Sequence, residues 1–355
     1  MKRFLGVVLA ATMALSLAAC GSSGSSGAAK SGSSAAGSAA ASSEASASSG
    51  AADGDVIEMK LANPNPVGDV KDLASIKFSE LAAEKTNGRV QIKVYSGGQL
   101  GDARDTIEGL GLGTNEIVCE SLGTLDAYTS LANIDAIPYM YRDYDHYAKV
   151  MLGGELGKEI LEKVGEEGNF KLLGGMYRGA RECTTKKKFT TPEELKGLKI
   201  RVPNQQVYID AWNVLGASPT PLALTETFTA LQQNTVEAQE NATIESYGFG
   251  FYDVCDYLVK TNHVYSTDLF IFNRDYFNNL PEDIQQALIE AADEASAYRT
   301  ELSLDKEAEY EQMFKDKGVE IVEIDTQPFA DKFDGFTEEY FPELVDWANQ
   351  IAAVE

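Results

Sequence analysis

Beyond residue 55 the chain alternates between two hydrophobic periods. Ile57, Met59 and Leu61 are separated by Glu58 and Lys60, the every-second-residue pattern of a strand with one covered face. The turn Asn63-Pro64-Asn65-Pro66 ends it. Asp69 then stands as the cap of a helix that carries Val70, Leu73, Phe78 and Leu81 mostly on one side, with Gly88 as its stop. Val90, Ile92 and Val94 alternate with Arg89, Gln91 and Lys93. Strand, helix and strand make a β-α-β unit, for which a right-handed parallel crossover is the rule. Further strands are predicted at 117–119, 171–173, 198–202, 236–239, 269–272 and 319–324, with a strand-like stretch at 257–259. An α/β architecture with mainly parallel sheets follows. From Pro281 to Lys317 no glycine and no second proline interrupts the chain. A single helix there would be about 55 Å long at 1.5 Å per residue, enough to run along two domains. Two helices with a break between Arg299 and Asp305 are the alternative.

The first 54 residues carry no such periods. Lys2 and Arg3 precede an apolar run from Phe4 to Ala19, the layout of an export signal. The run is 16 residues long, short of the roughly 20 that span a bilayer core. It ends in Leu17-Ala18-Ala19-Cys20-Gly21, which resembles a bacterial lipobox; the resemblance implies that Cys20 is lipidated and becomes the mature N-terminus. An ordinary export signal with an incidental cysteine is the other reading. Gly21 to Gly54 is almost entirely Ser, Ala and Gly, a flexible tether that would hold a domain roughly 30 Å from its anchor.

Charge narrows the function classes. Thirty Lys and Arg face 55 Asp and Glu, a formal net charge of −25. Lys2, Arg3 and Lys30 against Glu44 and Asp53 leave the first 54 residues at +1, so the rest carries −26. Without a basic tract, such a chain repels phosphate polymers, and nucleic-acid binding is excluded. Two histidines leave little for a His-rich metal site, and the patterned part holds no HExxH, P-loop or GxSxG. Gly109-Leu110-Gly111-Leu112-Gly113 follows no strand and reads as a helix end and turn. Cys119, Cys183 and Cys255 have no metal or redox spacing and read as small buried thiols. The length exceeds what one core usually organises, so two domains are expected.

Ligands of open α/β sheets bind beyond the carboxyl ends of strands. Three predicted ends are polar: Glu120 and Ser121 after 117–119, Arg201 before Pro203, and Glu240 and Asn241 after 236–239. Arg181 adds a second guanidinium, whose fork matches a carboxylate bidentately. An ion pair with one of the many acidic residues is the competing reading for either arginine.

Lys196-Gly197-Leu198-Lys199-Ile200-Arg201-Val202-Pro203-Asn204, followed by Leu215-Gly216-Ala217-Ser218-Pro219-Thr220-Pro221, resembles the extracytoplasmic solute receptors of tripartite ATP-independent periplasmic (TRAP) transporters, DctP type. The similarity continues through Gly98-Gln99-Leu100-Gly101-Asp102, Ala230-Leu231-Gln232-Gln233, Gln239-Glu240-Asn241, Phe251-Tyr252-Asp253-Val254 and Thr261-Asn262-His263. It covers Val56 to the C-terminus. The resemblance implies a two-domain periplasmic-binding-protein-like α/β fold, with crossing strands, a central cleft and a long helix spanning both domains. Its expected boundaries are 1–19 for the signal, 20–54 for the lipidated cysteine and tether, 55–178 with 267–306 for one domain, and 179–266 with 307–355 for the other.

By the same resemblance Arg201 forms the main salt bridge to a ligand carboxylate, Asn241 bonds the same group, and Arg181 is a second ligand-contacting arginine. Glu120 bonds ligand hydroxyls, and Gln239 and Glu240 adjoin the site. A metal found in some relatives is not carried over, and no cofactor is expected. Leu224 replaces the aromatic residue of sialic-acid-binding members. Tyr247, Phe249, Phe251, Tyr252 and Tyr257 are candidates for the pocket wall or the core. The expected function is non-enzymatic: capture of a small organic acid, a uronate, an aldonate or a C4 dicarboxylate, and delivery to TRAP permease subunits outside the cytoplasm. An exported enzyme acting on small carboxylates, or a sensory ligand-binding module, are the alternatives; His263 is a general acid or base by type, but no motif places a Ser or Cys nucleophile beside it.

Overall fold

The computed structural model describes residues 56–355; Cys20, the signal and the tether lie outside them. Ten strands form: β1 (Ile57–Ala62), β2 (Val90–Tyr95), β3 (Ile117–Ser121), β4 (Phe170–Thr185), β5 (Lys199–Val202), β6 (Ser218–Pro221), β7 (Ala238–Ala242), β8 (Tyr257–Val259), β9 (Tyr265–Asn273) and β10 (Glu320–Val322). Their order is β2-β1-β3-β9-β4-β7-β5-β6, with β8 beside β4 and β10 beside β8. The helix between β1 and β2 is Val70–Lys85, capped by the Asp69 carboxylate on the Lys71 amide, and β1 and β2 pair in parallel as expected.

Five of the nine strand pairings are parallel. The other four all include β4 or β9. These two strands join two groups: β9 pairs with β3, while β4 pairs with β9 along its first part and with β7 and β8 along its last. The sequence predicts only 171–173 of the 16-residue β4, because glycines interrupt its alternation. Its pairing with β9 shifts register between Leu173 and Met176 and again between Tyr177 and Ala180. Gly174 (φ +73°) and Gly179 (φ +105°) sit at those shifts, in backbone conformations that side chains resist. β6 was also illegible: with Pro219 and Pro221 it is tolerated only as an edge strand, paired on one side to β5.

The helix Glu282–Asp316 is continuous through Arg299–Asp305, 35 residues in all and about 52 Å long. Ile284, Ala287, Leu288, Ala291, Ala292 and Ala295 make its buried face. The alanines let the helix lie close on β4 and on Val70–Lys85, and past them Ser296, Arg299 and Ser303 turn the buried face polar. One core gathers Met59, Leu61, Phe78, Phe270, Phe272 and Leu288 beneath its apolar half, with the Phe78 and Phe270 rings stacked at 4.1 Å. The three described cysteines are free and buried. No described helix is long and apolar enough to cross a membrane.

At the first register shift the Ser296 hydroxyl accepts the Gly175 amide at 3.2 Å, and a Cβ on Gly174 would fall 2.1 Å from that oxygen. Gly174→Ala therefore combines backbone strain with a clash and is expected to lower unfolding free energy by about 2 kcal/mol or more, read by urea denaturation.

Candidate ligand-binding site

The carboxyl ends of β3, β5 and β7 and the middle of β4, at Arg178 and Arg181, face a cavity of about 300 Å³. The N-terminus of the helix Ala103–Leu112 and the segment 221–226 close its rim. Arg201, Arg181, Asn241 and Glu120 all line it. The strand ends bring them there: Arg201 alternates with Ile200 and Val202, which are fully buried, and Pro203 ends the strand behind it.

Glu240 is placed differently. It does not line the cavity but lies fully buried behind Arg181. Its carboxylate accepts from Arg181 Nε at 2.5 Å and Nη2 at 2.7 Å, and its carbonyl accepts Nη2 at 2.9 Å. The Tyr208 ring, 4.9 Å from the guanidinium, covers Arg181 from a further side. Arg181 is thus fixed in plane and direction before any ligand arrives. Burial alone would raise the Glu240 carboxyl; the charge of Arg181 and hydrogen bonds from His263 and Arg181 hold it down at about 2. His263 approaches the same carboxylate at 3.0 Å and Thr261 Oγ1 at 2.8 Å. Burial keeps its imidazole below the ordinary 6.5 despite that carboxylate, so it is neutral at neutral pH. It does not line this cavity and instead bonds Glu240.

Arg201 is the exception among the buried cations. Its Nε and Nη2 both donate to the Leu222 carbonyl, at 2.9 and 2.7 Å, and it makes no ion pair among the described residues. Burial, with the like charges of Arg181 and Arg178 and against the pull of Glu240, brings it down to about 10. Arg181 and Arg178 are instead held above the ordinary arginine value, since their carboxylate partners outweigh burial. Asn241 faces the same space. Its Oδ1 accepts Arg178 Nη2 at 2.9 Å and the Ala242 amide at 2.9 Å, which orients the amide nitrogen as the group left to donate.

Three lining cations escaped sequence reasoning: Arg104 at the rim, Arg178 and Lys71. Residues 178 and 181 would face opposite sides of a regular strand; the irregularity at Gly179 puts both at the cavity. Lys71 had a readable signal: it shares the helix face of Ala74, Ser75 and Phe78, all buried. Its ammonium lies 3.4 Å from Glu120 and 3.5 Å from Asp268. Arg178 pairs with Glu245 and stands 3.8 Å from Asp268; Arg299, from the long helix, reaches Asp268 at 3.0 Å and Glu245 at 3.3 Å. None of the five aromatic candidates from 247 to 257 lines the cavity, whereas Leu224 does.

The described residues contain no group of three His, Cys, Asp or Glu side chains that could hold a metal. The wall offers the Arg201 guanidinium without a counter-ion, the amide nitrogen of Asn241 and the carboxylate of Glu120, with Asp102 and Glu226 also lining it. That set suits an anion that also carries hydroxyls.

The profile of the bacterial extracellular solute-binding proteins, family 7 (DctP), matches residues 62–343. A solute-binding protein of Roseobacter denitrificans is 34% identical over 257 residues, 72% of this chain and 78% of the relative. Its crystal structure as a TRAP periplasmic solute-binding protein, with L-galactonate bound, aligns with a TM-score of 0.80 at 31% identity, covering 84% of this chain and 99% of that one. A TRAP periplasmic solute-binding protein of Pseudomonas putida with bound D-glucuronate aligns at 0.81, with 29% identity over 84% and 98% of the two chains. The 2,3-diketo-L-gulonate-binding periplasmic protein of Escherichia coli is 30% identical over 290 residues, 81% of this chain and 88% of the relative.

The Glu240–Arg181 pair makes acid stability testable. A carboxyl held at about 2 when folded, against roughly 4.3 when unfolded, contributes stability above the unfolded value and loses it as pH falls toward 2. The wild-type unfolding free energy, read by urea denaturation, should drop over that window by an amount on the order of 3 kcal/mol from this group, and Glu240→Gln, less stable near neutrality, should show a shallower drop.

Proposed function

The chain belongs to the bacterial extracellular solute-binding proteins of family 7, the DctP type, and is a TRAP solute-binding receptor; from that premise we propose that its solute is a hydroxylated organic acid, a uronate or aldonate, clamped by Arg201 and Asn241. The observation that carries this reading is the buried Arg201 guanidinium without a carboxylate partner, depressed to about 10, beside an amide whose oxygen is already engaged. A ligand carboxylate supplies the missing counter-ion. Arg181, immobilised by Glu240 and Tyr208, presents its remaining edge to the same ligand. Glu120 accepts from ligand hydroxyls and repels a second carboxylate, which favours a sugar acid over a C4 dicarboxylate. The ligands named for the Roseobacter and Pseudomonas proteins belong to that class.

Capture proceeds by closure. Residues 55–178 with 267–306, and 179–266 with 307–355, act as two bodies that hinge about β4, β9 and the long helix. The closed receptor then docks on permease subunits and releases its solute unchanged. Outside the described residues, Cys20 anchors the receptor to the membrane by its lipid, with the Ser/Ala/Gly segment as tether; each buried acyl CH₂ contributes about 0.8 kcal/mol to such anchoring.

Charged hydrogen bonds contribute about 1.5–3 kcal/mol each, so Arg201→Ala should weaken sugar-acid binding about a hundredfold or more by calorimetry. Near wild-type affinity would refute the clamp. In a thermal-shift panel, a ligand at 100 times its Kd adds about 2.7 kcal/mol of stability; the expectation is that D-glucuronate or L-galactonate raises the melting temperature and succinate does not. Cys20→Ser should move the protein from the membrane fraction of expressing cells to the soluble extracytoplasmic fraction.

A further inference from the structure

Gln205 opens the helix Gln206–Val214 as its N-cap, but its side chain caps nothing. It lines the cavity instead. The residue is 8% exposed, and its Oε1 is buried without a hydrogen-bond partner. A buried amide oxygen left without a partner is uncommon in a folded protein and calls for an explanation.

Its surroundings hold it in place. Arg104, across the cavity rim, donates from Nε to the Asn204 carbonyl at 3.0 Å and from Nη2 to Asp126 at 3.1 Å, fixing the turn that carries Gln205. On the far side the carboxamide meets Gly123, three residues past Glu120. A Cβ there would stand 3.0 Å from Oε1, with the Ala136 methyl next at 3.5 Å. Gly123 is not among the glycines with positive φ, so the position needs a glycine for room and not for backbone freedom.

Resting on the sugar-acid reading above, we infer that Gln205, seated against Gly123 and held by the Arg104-fixed turn, is a specificity-determining residue that pairs with one hydroxyl of the ligand beside Glu120. Rotation of the carboxamide by half a turn exchanges oxygen for nitrogen with little change of shape, so it offers the cavity either an acceptor or two donors. A hydroxyl, which both donates and accepts, complements it in either orientation. The Glu120 carboxylate accepts and does not donate, so the two residues together favour a hydroxyl-bearing carbon over a methylene or a second carboxylate at that point of the cavity.

The test is calorimetry of L-galactonate, D-glucuronate and a set of their monodeoxy analogues with wild type, Gln205→Met, Gly123→Ala and Arg201→Lys. Wild type should disfavour one deoxy analogue of the acid it binds by about tenfold or more. Gln205→Met should bind the parent acid about tenfold more weakly and lose that one discrimination, to within about threefold, while keeping discrimination at the other hydroxyls. Gly123→Ala, with a Cβ crowding the carboxamide, should shift the same discrimination and no other. A merely structural glutamine would weaken all analogues in parallel, and that result, or a Gln205→Met profile identical to wild type, would overturn the inference while leaving the clamp intact. If neither parent acid binds, or if Arg201→Lys binds them as wild type does, the sugar-acid clamp itself falls and the inference with it.

Discussion

Asp268, in the middle of β9, is the carboxylate on which three elements converge. Lys71 reaches it from the helix after β1 at 3.5 Å, Arg178 from β4 at 3.8 Å and Arg299 from the long helix at 3.0 Å. All four side chains are buried. Burial would raise the Asp268 carboxyl, but the three cations hold it at about 2. An ion cluster of this kind is weak evidence for stability as such, because desolvating each charge offsets much of the attraction. Its effect is on geometry. Deleting one member leaves the others uncompensated in a dry interior, so the helix, the strand and the long helix are confined to the one arrangement that satisfies the cluster.

The cavity inherits its electrostatics from that confinement. Lys71 and Arg178 line the wall, yet both are committed to Glu120, Glu245 and Asp268, and Arg181 is committed to Glu240. Of the lining cations that come from strands, only Arg201 lacks a carboxylate. The net charge of −25 does not oppose anion capture here, since exterior charges are screened over about 8 Å at physiological salt. The sign that a ligand meets is set within hydrogen-bond distance, by pairing.

Much of this was legible in the sequence where periodicity was regular. The first β-α-β unit, the long helix, and the strand ends that deliver Glu120, Arg201 and Asn241 all follow from alternation and breakers. β4 was not, because Gly174, Gly175 and Gly179 erase its period while β9 keeps it extended through register shifts; Arg178 was lost with it. Glu240 follows from the same strand end as Asn241, but alternation turns neighbours to opposite faces, which is why one lines the cavity and the other braces Arg181. Gln205 has no sequence signal. Its significance lies in an unpaired oxygen and in the absence of a Cβ at Gly123, both properties of packing between segments distant in the chain.

A ligand shifts a conformational equilibrium only by what it binds differently in the two states. In the clamp proposed above, Arg201 supplies such a difference. In an open cleft water would solvate its guanidinium, whereas in the arrangement seen here burial and two neighbouring arginines destabilise the charge. Closure over an empty cavity therefore carries a penalty at Arg201 that closure over a carboxylate removes. Arg181 and Arg178, compensated in advance by Glu240 and Glu245, contribute position without adding to that penalty. In that proposed clamp, an arginine left unpaired among paired ones couples recognition to closure: the group that would identify the ligand is also the group that would disfavour the closed receptor without it.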